Sequence, residues 1–139
     1  MIQGELIEQL VLPSSLESIS KVEAFIARFY GNNDHIRDSY GNILIAITEG
    51  VTNSILHGNR NDLSKRIHLE MEVADSEVFF TISDEGDGFD YNNVPDPTLP
   101  ENLEKLNGRG IFLMRSLADS ISFEENGSKI KLTFRYTNS

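Results

Sequence analysis

The sequence predicts an α+β fold: a two-layer sandwich in which a mixed, mostly antiparallel sheet carries its helices on one face. Three observations point there. Ile67, Leu69, Met71 and Val73 alternate with polar residues, as do Val78, Phe80 and Ile82, the pattern of a half-buried hairpin. Two segments before that hairpin and one after it space their apolar residues by three and four, as amphipathic helices do. The resulting order is strand, two helices, two strands, a long loop, a helix and two strands. Adjacent strand pairs with helices grouped between them are the mark of a layered α+β domain. With 139 residues, residues 1–139 are expected to form one domain that hides roughly two-thirds of its unfolded surface.

The elements follow in order. Residues 4–12 read as a strand ended by Pro13. Ser14 and Ser15 offer a helix cap, with Glu17 completing a capping-box pattern. Leu16, Ile19, Val22, Ile26 and Phe29 then recur at helical spacing until Gly31 and Asn32 stop the helix. A second helix is expected from about Ile36 to Leu56, with Leu44, Ile47, Val51 and Ile55 on its apolar face and Gly58 as its C-terminal cap. The stretch HGNRND is a polar loop. After the hairpin, periodicity disappears from Asp84 to Asn107, where Gly86, Gly88, Pro95, Pro97 and Pro100 fall. A loop of more than ~15 residues in a compact domain is often functional. Gly110 to Leu117 reads as a helix. Ser120–Phe123 and Lys129–Tyr136 read as closing strands joined by an Asn126-Gly127 hairpin turn.

Composition removes several function classes. Twelve Lys+Arg against twenty-two Asp+Glu leave a net charge of −10, which argues against phosphate-backbone binding and against an acidic membrane surface. The chain has no cysteine, so disulfides, thiolate metal sites and a cysteine nucleophile are excluded. No apolar run approaches the ~18 residues of a membrane span. The N-terminus MIQGELIEQL lacks a basic region, so a secretory signal is not expected and the cytoplasm is the default location.

Three constellations carry candidate chemistry. Glu49 and Asn53 lie one turn apart on the second helix, opposite Val51. Together they would suit a hard cation or an activated hydroxyl, although the same pair also fits a solvated helix face. Asp84 continues the inward face of Val78, Phe80 and Ile82. A carboxylate there needs a partner, and an exocyclic purine amine would be one. Gly86 and Gly88 would let a flat ring approach, and an acidic surface turn is the plain alternative. A calcium loop fails on spacing, with Phe89 and Pro95 at the required Gly and Glu positions. Finally, Asn107-Gly108-Arg109-Gly110 precedes an apolar helix, where free N–H groups favour an anion. It is neither a dinucleotide fingerprint nor a P-loop.

Taken together and in this order, EGVTNSILHGN, DEGDGF and NGRGIFLM resemble the N box and the two glycine boxes of the GHKL ATP-binding superfamily, the Bergerat fold. A free-standing domain of this length is most similar to the bacterial anti-sigma-factor serine/threonine kinases of the RsbW and SpoIIAB type. That resemblance implies a protein kinase using ATP and Mg²⁺. Glu49 would be the general base. Asn53 would coordinate the metal. Asp84 would receive the adenine amino group. Gly86, Gly88, Gly108 and Gly110 would shape the base pocket and phosphate cradle, and residues from about 89 to 107 would form the ATP lid. The family's lid arginine has its place at Lys105-Leu106-Asn107, while Arg109 stands between the glycines, so Lys105 and Arg109 are both candidate phosphate contacts. Ser128 corresponds loosely to a family threonine near the adenine. The implied partners are a STAS-domain anti-anti-sigma protein and a sigma factor or analogous regulator, with a homodimer also suggested. The departure in the lid leaves a second expectation, a non-catalytic ATP-binding interaction module.

Overall fold

The computed structural model describes residues 5–31, 39–74, 76–87 and 106–135. Gly88, Lys105 and nearly all of the expected lid lie outside the described residues. Strand β1 (Glu5–Pro13) leads to helices α1 (Ser18–Gly31) and α2 (Tyr40–Asn53). Strands β2 (Arg66–Val73) and β3 (Glu77–Ser83) follow, then α3 (Leu106–Leu117), β4 (Ser120–Glu124) and β5 (Lys129–Arg135). The five strands form one sheet in the order β1-β2-β3-β5-β4. Every described pairing is antiparallel, where the sequence left room for a mixed sheet.

Register makes the core. Leu69 pairs with Ile82 and Ile82 with Ile130; Met71 pairs with Phe80 and Phe80 with Leu132. Each row is therefore apolar across three strands, and all six residues are buried. Val22, Phe25, Ile26 and Phe29 of α1 cover them, with Ile43, Ala46, Ile47 and Val51 of α2. Phe80 takes the edge-to-face geometry that aromatic quadrupoles favour against both Phe29, 6.4 Å away, and Phe134, 6.0 Å away. On the other face of β2, His68 is exposed and Glu70 and Glu72 are half-buried, so among the described residues only one side of the sheet is covered by helices. Among the described residues no helix is long and apolar enough to cross a membrane.

One glycine sets the spacing of the layers. A β-carbon on Gly50 of α2 would lie 2.5 Å from Ile82 Cδ1 and 3.0 Å from Met114 Sδ. Helix α2 is thus wedged between β3 and α3 where it has no side chain. Gly50→Val is expected to cost about 1–3 kcal/mol through overpacking. Urea unfolding checks this; an unchanged midpoint would show that α3 can move aside.

Several boundaries differ from the sequence reading. Helix α1 begins at Ser18, because the Ser14 hydroxyl donates to the Lys65 carbonyl and does not cap the helix. Helix α2 gives way after Asn53 to a π-helical turn, Ser54–Gly58. Helix α3 starts at Leu106, so the Asn107–Gly110 motif is its first turn and does not precede it. The β4–β5 connection is a short 3-10 turn, Glu125–Gly127. Its left-handed residues are Glu125 and Gly127, at φ 52° and 97°, and so not the Asn-Gly pair of a two-residue hairpin.

Candidate functional site

The C-terminal half of α2 meets both glycine motifs. Glu49 and Asn53 project from one side of the helix, both half-buried. Gly110 of α3 is buried against them: a β-carbon there would lie 3.7 Å from Glu49 Oε2 and 3.8 Å from Asn53 Oδ1. A carboxylate oxygen and a carboxamide oxygen therefore converge on the first turns of another helix. The initial N–H groups of α3 have no partner within the helix and carry its positive dipole end. Gly108 and Arg109 belong to this first turn, where the backbone alone is described. His57, on the same four-residue spacing from Asn53, lies in the π turn and is exposed.

The turn after β3 closes against the end of the same helix. Its start is fixed by the pairing of Ser83 with Lys129 and by the Asp84 N–H donating to the Ser128 carbonyl at 2.9 Å. The Ser128 hydroxyl donates to the Glu125 carbonyl at 2.9 Å, so Ser128 meets Asp84 through its backbone. The Gly86 N–H donates to Asp84 Oδ1 at 2.8 Å. A side chain on Gly58 would collide with the Asp84 carboxylate, and one on Gly86 would collide with the Gly58 carbonyl. Gly58, predicted as a helix cap, is thus needed for close approach. Two glycines and one carboxylate interlock only because neither glycine has a β-carbon.

Burial pushes the Asp84 carboxyl above its ordinary pKa, against the opposing pull of the Gly86 N–H and smaller pulls from Ser54 and Lys65. The Ser54 hydroxyl is 1% exposed and stands beside this carboxylate. A buried hydroxyl beside a half-buried carboxylate offers a donor and an acceptor side by side. The pair fits a ligand with both donor and acceptor atoms, as the edge of an adenine ring has. On the other side, Asn53 Oδ1 and Glu49 Oε2 are the hard oxygens that Mg²⁺ prefers, and a magnesium carried on phosphates needs few protein ligands. Among the described residues, no group of three or more His, Cys, Asp or Glu is placed to hold a metal alone.

The sequence pointed to Glu49, Asn53, Asp84, Gly86 and Gly110, and the fold brings these five to the C-terminal end of α2. It missed Ser54 and Asn59. Asn59 is 1% exposed inside a stretch that reads as a solvated loop. Its amide donates to Ser14 Oγ at 2.6 Å and to the Arg66 carbonyl at 2.9 Å, and it accepts the Glu85 N–H at 2.8 Å. The local signal was absent, since these partners come from three separate strand ends.

Comparison with known proteins agrees with this fold. The model of the histidine kinase-like ATPase domain family matches residues 12–134. Proteins named serine-protein kinase RsbW from Staphylococcus aureus strains JH9, Newman and JH1 are each 29% identical over 133 residues, covering 90% of this chain and 84% of the relative. The crystal structure of the RsbU and RsbW domains of Rv1364c from Mycobacterium tuberculosis has the same fold, with a TM-score of 0.65 at 19% identity over 96% of this chain. This chain spans 34% of the length of that one.

Proposed function

Because the chain belongs to the histidine kinase-like ATPase domain family, we propose that it binds Mg·ATP at the end of α2 and transfers the γ-phosphoryl group to a serine or threonine of a protein partner. The partner would be a STAS-domain anti-anti-sigma protein, and the chain would also hold a sigma factor or an analogous regulator, acting in the cytoplasm. The convergence of Glu49 and Asn53 on Gly110 carries this reading; the similarity to serine-protein kinase RsbW supports the choice of acceptor.

Each residue then has a defined task. Asp84 accepts the adenine amino group, while Gly86 fixes the carboxylate and, with Gly88, leaves room for the ring. Asn53 Oδ1 is the protein ligand for the metal. Bound magnesium would neutralise phosphate charge that this acidic chain does not itself balance. The first turn of α3, with Gly108, Arg109 and Gly110, faces the phosphates with its N–H groups, and Lys105 or Arg109 supplies side-chain positive charge. Glu49 takes the proton from the acceptor hydroxyl. Phosphoryl transfer is mainly positioning plus charge stabilisation, so this division suffices without a covalent enzyme intermediate.

The test is incubation of the purified chain with γ-labelled ATP, Mg²⁺ and a STAS-domain protein encoded near it. Label on the STAS protein is the expected result. ATP binding with no label transferred would remove the kinase assignment and leave a nucleotide-dependent interaction module.

A further inference from the structure

Resting on the proposed nucleotide site, we infer that Asn59 is a positioning residue for base recognition, acting through the backbone of the Asp84 turn. The side-chain amide of Asn59 has two N–H donors and one carbonyl acceptor, and all are engaged: Ser14 Oγ and the Arg66 carbonyl receive the donors, and Oδ1 receives the Glu85 N–H. Its main chain is fixed as well. The Asn59 N–H donates to the Ser54 carbonyl at 2.7 Å, which closes the π turn, and its carbonyl accepts from Asp62 at 3.0 Å.

The bond to Glu85 is the one that matters for function. The Glu85 N–H belongs to the peptide plane that joins Asp84 to Glu85. Holding that plane fixes the backbone on one side of the Asp84 carboxylate, and the Gly86 N–H fixes Oδ1 directly. The outer donors tie the same amide to the end of β1 and the start of β2, both parts of the rigid sheet. Asn59 therefore transmits the position of the sheet to the turn that reads the base. Glu85 Oε1 adds a second tie by accepting the Arg66 N–H at 2.9 Å, but Glu85 is exposed, and such a bond competes with water. The bond to Asn59 Oδ1 is partly buried and competes with water less. No hydrogen bond of Asn59 reaches Glu49, Asn53 or Gly110, so the phosphate side of the site is independent of it among the described residues.

This predicts a selective loss. In a competition titration against a bound fluorescent ATP analogue, the probes are Mg·ATP and Mg·tripolyphosphate, which lacks the base. Asn59→Ala should weaken Mg·ATP by about tenfold, the size expected when one partly buried hydrogen bond no longer orders the site. It should leave Mg·tripolyphosphate within about twofold. Equal weakening of both probes would mean a general structural role and overturn the inference, as would no weakening of either.

Asn59→Asp guards against loss of folding in the alanine variant. It keeps an oxygen for the Glu85 N–H while giving up both donors, to Ser14 Oγ and to the Arg66 carbonyl. Mg·ATP affinity within about threefold of wild type supports the assignment, and a loss as large as that in Asn59→Ala overturns it. Failure of the underlying site is distinguishable: there, wild-type protein would not bind Mg·ATP at all.

Discussion

Asp84→Asn is expected to weaken ATP binding by about a hundredfold or more while leaving the fold intact. The hydrogen bond from Gly86 decides the sign. That N–H points at Oδ1 at 2.8 Å, so an asparagine would turn its carbonyl toward Gly86 and present its NH₂ to the base. The adenine amino group is itself a donor, and two donors would then face each other across a desolvated gap. The unliganded fold has no such difficulty. Burial raises the pKa of Asp84 because ionisation there is unfavourable, and a neutral amide removes that penalty.

The pH dependence follows. A carboxyl whose folded pKa is raised holds its proton longer in the native state, so its contribution to stability declines as pH rises from the ordinary aspartate value through the raised one. ATP binding runs the opposite way, because it needs the ionised acceptor. Affinity should fall as pH drops through the raised value in wild type. Calorimetric titration across mildly acidic pH, with parallel urea unfolding, measures both. An Asp84→Asn variant that binds ATP normally would remove the base-recognition role.

Glu49→Gln should separate binding from chemistry. The amide keeps the shape of the side chain beside Asn53 and Gly110, and ATP affinity should stay within a few-fold of wild type. Loss of a positioned general base typically costs ~10²–10⁴ in rate, so label transfer to the STAS protein should fall by that order. Single-turnover assays with saturating ATP read the rate directly. Undiminished transfer would show that Glu49 does not take the proton; joint loss of binding and transfer would make it a ligand-holding group.

How much of this was readable in the sequence depended on the range of the interactions. The strand pattern Ile67-Leu69-Met71-Val73 and the helical spacing through Ile47 and Val51 are local consequences of which face meets the core, so fold class and element order followed from them. Asp84 was placed correctly for the same reason, as the next inward position after Ile82. The helix starts at Ser18 and Leu106 were missed because Ser14 spends its hydroxyl on Lys65, 51 residues away, and because nothing in Leu106-Asn107-Gly108 is a strong helix start. Asn59 was invisible: a polar residue between Gly58 and Arg60 reads as loop, and its burial exists only once three strand ends close around it.

The π turn from Ser54 to Gly58 has a consequence for chain length. A regular helix advances about 100° per residue, whereas the wide turn accommodates its sequence with Asn53 directed at α3 and Gly58 seated under Asp84. Excising one residue from this stretch would restore ordinary winding and rotate everything beyond it by roughly a quarter-turn, drawing the backbone wall away from the carboxylate. Insertions among exposed residues 60–64, by contrast, leave that wall where it is. The segment acts as a gauge: its five-residue length, ending on a glycine, sets where that wall stands.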